Sequence, residues 1–323
     1  MSRSGRFEIS LVIATYRRAD SLKSLLNVLN SQTASKEVFE VIVVDNTPEK
    51  DNQVISLSNS QVYKDLNLHY THHPVVGTSA ARNRGVAAAR SDLIGFLDDD
   101  SLPRPDWVEQ VIRIFAETKA DIVGGPFEPY YLDQKPDWFR DIYAGRTYGD
   151  QACWLTGTRT VFGNNMAIRK RLMQELGGFS EEFGYIGGKK VYGEDTDLNL
   201  RARKAGLTTW YDPCLKIQHY ADPDRMRLVW QLGSCWRGSR DLARIIYHQA
   251  DEKDGRPHYR VVLSLIRIAL GNFWTCTSLI LRTPFRNKKE YPFIENYLIE
   301  RFGKEFWHFA RNFGQLMLTI YEN

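Results

Sequence analysis

Short apolar runs of strand length alternate with helical periodicity through the first half of the chain. Ile9 to Ala14 is the first run, and it stops at Thr15-Tyr16-Arg17-Arg18. Ser21 to Leu29 then puts Leu22, Leu25, Leu26 and Leu29 on one helical face, with Asp20 or Ser21 as the cap. Glu40 to Val44 is β-branched and stops at Asp45-Asn46; Leu68 to Thr71 is a weaker strand. Ser79 to Ala89 reads as a helix entered after Gly77, and Asp92 to Leu97 as a buried strand ending in Asp98-Asp99-Asp100. Pro105-Asp106-Trp107 opens a helix to Glu117, and Ile122 to Gly125 is a further strand. Tyr130 to Gly157 is aromatic and loop-like, whereas Thr160 to Ile168 and Leu207 to Trp210 look extended. Beyond Gln218 the pattern is helical, which sets a boundary near residue 220 and divides the chain into 1–220 and 221–323.

Strands apolar on both faces, alternating with helices, predict an α/β fold with a largely parallel sheet covered on both sides. Ligands of such sheets bind beyond the carboxyl ends of the strands. The polar clusters Thr15-Tyr16-Arg17, Asp45-Asn46 and Asp98-Asp99-Asp100 all fall at such ends.

Composition narrows the partners. The 323 residues are 43% hydrophobic and 25% charged, a globular balance with a net charge of only +4. No basic arm or stripe argues for nucleic acid. Cys153, Cys214, Cys235 and Cys276 lack metal-site spacing and read as reduced cytosolic thiols. Met1 to Phe7 is short and polar, so no signal peptide is expected. Val261 to Leu281 is apolar apart from Arg267, Asn272 and small polar residues, and is followed by Arg282, Arg286, Lys288 and Lys289. Arg267 at a bilayer centre would cost about 2.5–3.5 kcal/mol, which disfavours a full span. A buried core helix and a membrane-surface helix both remain open.

Three adjacent carboxylates at a strand end repel one another, and a hard divalent cation with a phosphate relieves that repulsion. Asp98-Asp99-Asp100 is therefore a candidate metal–diphosphate site, with a polar turn as the alternative. Asp45 can accept from a base or a ribose hydroxyl, or simply cap a turn. Gly77 to Gly85 offers a helix start, and Arg82 or Arg84 offers charge for a diphosphate; tight packing of its alanines is the alternative. Gly193-Glu194-Asp195-Thr196-Asp197-Leu198 follows the glycine-rich Gly184 to Gly188 and leads into a helix closed by Gly206. The helix dipole favours ionised Glu194 and Asp195, suiting general-base work as well as plain N-capping. His219 follows a strand-like stretch and is a candidate metal ligand or a structural residue.

Six strings in this order resemble the family 2 glycosyltransferases of GT-A fold, over about residues 8 to 220. They are Ser10 to Arg17, Val43 to Asn46, Ala80 to Gly85, Phe96 to Pro103, Gly163 to Arg169 and Gly193 to Leu198. The resemblance implies a Rossmann-like, mostly parallel central sheet flanked by helices, with a C-terminal helical extension. It implies that Thr15, Tyr16, Arg17, Asp45, Arg82, Asp98 and Asp99 line the nucleotide-sugar pocket. Asp98 and Asp100 would form the DxD pair holding Mg²⁺ or Mn²⁺, with His219 as a further ligand. Asp195 would be the catalytic base beside Glu194, and Asn164 and Asn165 would lie near the donor sugar and acceptor. The implied reaction is an inverting transfer from a nucleotide-sugar, UDP-linked by default, to a saccharide or lipid-linked acceptor in bacterial polysaccharide or glycolipid assembly. The setting is cytoplasmic, with contact to the inner face of the plasma membrane open. No Gln-x-x-Arg-Trp string is present, which favours single addition over processive synthesis. Two rivals are a sugar nucleotidyltransferase, which calls for a glycine-rich loop where Ala14 to Arg18 stands, and a non-catalytic sugar- or partner-binding relative, which need not keep the acids.

Overall fold

A computed structural model describes residues 7–157, 159–186, 189–191, 193–249 and 258–321. The first six residues, where no leader was expected, and Gly187-Gly188 of the glycine-rich stretch lie outside them. The strands are β1 (Ile9–Thr15), β2 (Phe39–Asp45), β3 (Leu68–His72), β4 (Leu93–Asp98), β5 (Ser101–Pro103), β6 (Ile122–Gly124), β7 (Phe127–Tyr130), β8 (Cys153–Trp154), β9 (Asn165–Arg169), β10 (Gly184–Ile186), β11 (Lys189–Val191), β12 (Thr209–Tyr211) and β13 (Ile217–Tyr220). The α-helices are α1 (Ala19–Asn30), α2 (Asn52–Ser58), α3 (Thr78–Ala88), α4 (Trp107–Thr118), α5 (Lys170–Glu175), α6 (Glu194–Lys204), α7 (Leu228–Gln249), α8 (His258–Arg282), α9 (Ile294–Tyr297) and α10 (Gly303–Tyr321).

The main sheet has the order β3-β2-β1-β4-β9-β6-β12-β8. The β3, β2, β1 and β4 neighbours are parallel, β9 runs against β4 and β6, and β12 is parallel to β6 but antiparallel to β8. This is the mostly parallel α/β sheet that the apolar runs predict. Their lack of alternation has a direct cause. Ile9, Leu11 and Ile13 enter one core with α1 and Trp107 of α4, while Val12 enters the other with Ala81 of α3, Phe96 and Leu198 of α6. Leu22, Leu25, Leu26 and Leu29 of α1 are all fully buried, as the helical periodicity requires.

Two readings change, and one helix is new. Of the stretch Thr160 to Ile168, only Asn165 onward is strand. Ser101-Leu102-Pro103, which fits a polar turn, is β5, paired antiparallel with β13 in a second sheet completed by β7. Asn52–Ser58 is a helix that no reading of the sequence marked, capped by the Asp51 side chain.

The chain divides into two compact units, Met1–Tyr130 with Gly145–Lys190 and Glu194–Tyr220, and Tyr131–Ala144 with Val191–Gly193 and Ala221–Asn323. The first carries the sheets. In the second, α10 packs on α7 and α8, with Trp236 stacked on Phe306 at 5.5 Å and Asn312 bonded to Asn272 at 2.9 Å. Helix α8 covers the ambiguous apolar segment, and it is not a buried core helix: of its described side chains only Ala269 and Cys276 are buried. No described helix is long and apolar enough to cross a membrane.

Candidate active site

Parallel register sets the polar strand ends side by side. Thr15 of β1 pairs with Asp45 of β2, and Ala14 with Asp98 of β4. Asp45 is buried, and its Oδ1 accepts from the Thr47 N–H and hydroxyl. Its Oδ2 accepts from the Asp51 N–H and the Tyr70 hydroxyl, each at 2.8 Å. Burial opposes its charge, but these four donors outweigh it and hold the carboxyl below the usual range. The chain's own groups thus satisfy both oxygens. Asn46 clips the loop ahead of α3, donating to His73 O and Val75 O and accepting from the Gly77 N–H at 2.7 Å.

Arg17 sits at φ 52°, a left-handed conformation rare outside glycine, directly after β1. It leaves the Tyr16 ring 37% exposed at the rim, with the Arg17 guanidinium 5.5 Å from the ring centroid. Strain of this kind gathers at functional sites. Arg18 turns back: its Nη1 lies 2.8 Å from Asp100 Oδ2 and 3.3 Å from Asp99 Oδ1. Thr15 donates to Asp99 Oδ2 at 2.8 Å. Arg18 was not among the residues singled out from the sequence. The available signal was a cation just beyond a strand whose neighbour ends in acids.

The pairing of β13 with β5 sets His219 opposite Ser101, next to the acids. His219 Nε2 lies 3.1 Å from Asp100 Oδ1 and 3.7 Å from Asp98 Oδ2. One ligand atom from each of Asp98, Asp100 and His219 falls within 4.8 Å of the others. Burial resists the charge on all three, and mutual attraction wins. Asp98 and Asp100 are held below the usual carboxylate range, by Arg82 and His219 for Asp98 and by His219 and Arg18 for Asp100, and His219 is raised to about 9. Asp99, buried beside Asp100, is pushed up to about 7 against the pull of Arg18 and Thr15. A cation fits this donor set. Asp100 Oδ1 is a buried oxygen without a well-aligned donor, and two carboxylates with an imidazole within reach of one another could hold a divalent metal ion.

Arg82 of α3 is buried and ties the acids to the first turn of α6. Its Nη2 is 2.8 Å from Asp98 Oδ1, and its Nη1 is 3.4 Å from both Glu194 Oε1 and Asp195 Oδ1. The guanidinium lies over the Phe179 ring at 5.2 Å. Arg84 points elsewhere, 3.4 Å from Thr71 Oγ1, so the structure separates the two arginines the sequence left equivalent. Gly163 makes room for the pair. A Cβ there would come within 2.5 Å of Asp195 Oδ1 and 2.7 Å of Arg82 Nη1. Asn199, also unmarked by the sequence reading, joins Asp195 O to Val161 O with its amide N–H groups. Burial and the Glu194 charge push Asp195 up to about 7, opposed by Arg82 and the Gly163 N–H. Asn164 is buried with Oδ1 unpartnered. Asn165 is committed to the scaffold, accepting from Trp107 Nε1 and donating to Pro126 O and Leu215 O.

Two carboxylate clusters, distant in sequence, therefore share one buried guanidinium at the carboxyl edge of a mixed α/β sheet. The Glycosyl transferase family 2 profile matches residues 10–177. The chain belongs to that family. It is 27% identical over 201 residues to the glycosyltransferase AglE of Haloferax volcanii, covering 62% of each chain. It is 25% identical to the glucosyl-dolichyl phosphate glucuronosyltransferase of the same organism, over 76% of this chain and 80% of the relative. The succinoglycan biosynthesis protein ExoM of Rhizobium meliloti is 26% identical over 75% of this chain and 76% of its own. Among solved structures, the mannosyltransferase PcManGT of Pyrobaculum calidifontis, in complex with GDP-Man and Mn²⁺, superposes with a TM-score of 0.61 at 17% identity, over 99% of this chain and 89% of that one. The fold is GT-A.

Proposed function

We propose that the chain moves a sugar from a nucleotide-diphosphate-sugar to an acceptor hydroxyl in a single inverting displacement. The observation that carries this is the Arg82 bridge, which holds a donor-type acidic triad and a base-type carboxylate in one network. Asp98, Asp100 and His219 would hold Mg²⁺ or Mn²⁺, which when bound supplies positive charge for the departing diphosphate. Thr15, Tyr16, Arg17, Asp45 and Asp99 at the ends of β1, β2 and β4 would receive the nucleoside. For Asp45 to do so, the nucleoside has to displace or share one of its four present donors.

Asp195 accepts the acceptor hydroxyl proton as the oxygen attacks the anomeric carbon. Its raised pKa makes it a better base than an ordinary carboxylate near neutrality. Arg82 opposes that rise and fixes the direction of the carboxylate, while Asn164 Oδ1, a buried acceptor in want of a donor, is suited to a sugar hydroxyl. Transfer is assigned to residues 1–220, with 221–323 a helical appendage. Relatives named for succinoglycan biosynthesis and for glucuronosyl transfer onto glucosyl-dolichyl phosphate support a saccharide or lipid-linked acceptor in polysaccharide or glycolipid assembly.

The test is a panel of nucleotide-sugars incubated with Mn²⁺ and no acceptor. Slow release of nucleoside diphosphate supports transfer. Formation of nucleoside triphosphate and sugar 1-phosphate only when pyrophosphate is added would point to a nucleotidyltransferase, and silence across all donors to a non-catalytic relative.

A further inference from the structure

Helix α8 is two-sided. Ala269 and Cys276 are buried on the face toward α10, where Asn272 meets Asn312. Leu263, Ile266, Leu270, Trp274 and Leu281 recur at helical spacing on the opposite face, and all are exposed, Trp274 and Leu281 at 70%. Phe285, just beyond the helix, is 86% exposed. An exposed apolar stripe of this length, broken only by small polar residues such as Thr277, marks an interaction surface.

Charge selects the occupant. From His258 to Lys289 the sequence contains no Asp or Glu, but it holds Arg260, Arg267, Arg282, Arg286, Lys288 and Lys289. A stripe that is apolar, carries an exposed tryptophan and lies on a segment whose own charges are all cationic complements an anionic lipid surface. A twofold pair of such faces would oppose like charges, which argues against a second copy. Exposed Arg267 lies on the edge of the stripe, where its head can reach phosphates while its stem lies along the apolar surface.

We infer that the outer face of α8 docks the protein on an anionic phospholipid bilayer, lying in the plane of the interface. The inference does not depend on the transfer reading. It is tested by sedimenting the full chain with vesicles. The protein co-sediments with phosphatidylcholine–phosphatidylglycerol vesicles, stays in solution with phosphatidylcholine alone, and is released as salt is raised. Leu270→Glu with Trp274→Glu lowers the affinity about tenfold or more, with unchanged circular dichroism. Should that variant fold poorly, Arg267→Glu with Arg282→Glu keeps the apolar stripe and weakens binding to anionic vesicles. Equal binding by wild type and both folded variants would overturn the inference. So would failure to bind anionic vesicles, including the case of a dimer in light scattering that Trp274→Glu dissociates.

Discussion

At Asp195 one carboxyl faces the like charges of Glu194 and Asp98 and the opposite charge of Arg82, in a buried setting. The group protonates below a pKa of about 7 and becomes a competent base above it. In a pH profile, kcat/KM should rise through the region of pH 7 and then level off; a flat profile from pH 5 upward would remove Asp195 as the base. Replacing Asp195 with Asn should lower kcat by about 100-fold to 10,000-fold, with donor-nucleotide binding retained in calorimetry. Near-normal turnover contradicts the role. Arg18 makes the opposite kind of case. It already occupies Asp99 and Asp100, so it competes with an incoming cation. Arg18→Gln should tighten binding of Mn²⁺ alone by roughly tenfold in a calorimetric titration, and weaken binding of a nucleoside diphosphate in the presence of Mn²⁺.

The turn holding Gly163 and the first turn of α6 face each other across a gap with no space for a methyl group. Gly163→Ala should displace the Arg82–Asp195 pair and cost about 10-fold to 100-fold in kcat, while melting shifts little. Unchanged kinetics would show that the pair is not held by this contact. Elements of this kind differ in how far the sequence discloses them. Helix α1 was legible because Leu22, Leu25, Leu26 and Leu29 repeat at helical spacing, and β1, β2 and β4 because both their faces are apolar. Strand β5 was not, since Ser101-Leu102-Pro103 becomes a strand only through β13, far along the chain. The same remoteness hid the partners of Arg18, Arg82 and Asn199. Each is defined by a partner on another element, and no local period encodes which carboxylate a guanidinium will reach. Asn165 illustrates the converse: the motif containing it was visible, but not that its amide would satisfy Pro126 O and Leu215 O.

Across the whole molecule, the first unit concentrates charge at one sheet edge, while the second places an acid-free, apolar helix face in solvent. The acids that converge from residues 98–100 and 194–195 are partly offset by Arg18, Arg82 and His219, and the proposed cation would offset the repulsion that is left. The most direct test is calorimetric titration of nucleoside diphosphates into wild type and Asp100→Ala. Wild type should bind a nucleoside diphosphate with Mn²⁺ present and lose that binding in chelator, and Asp100→Ala should fail to bind in either condition. Binding that survives both the chelator and the substitution would contradict the convergence of these acids around a cation and a diphosphate.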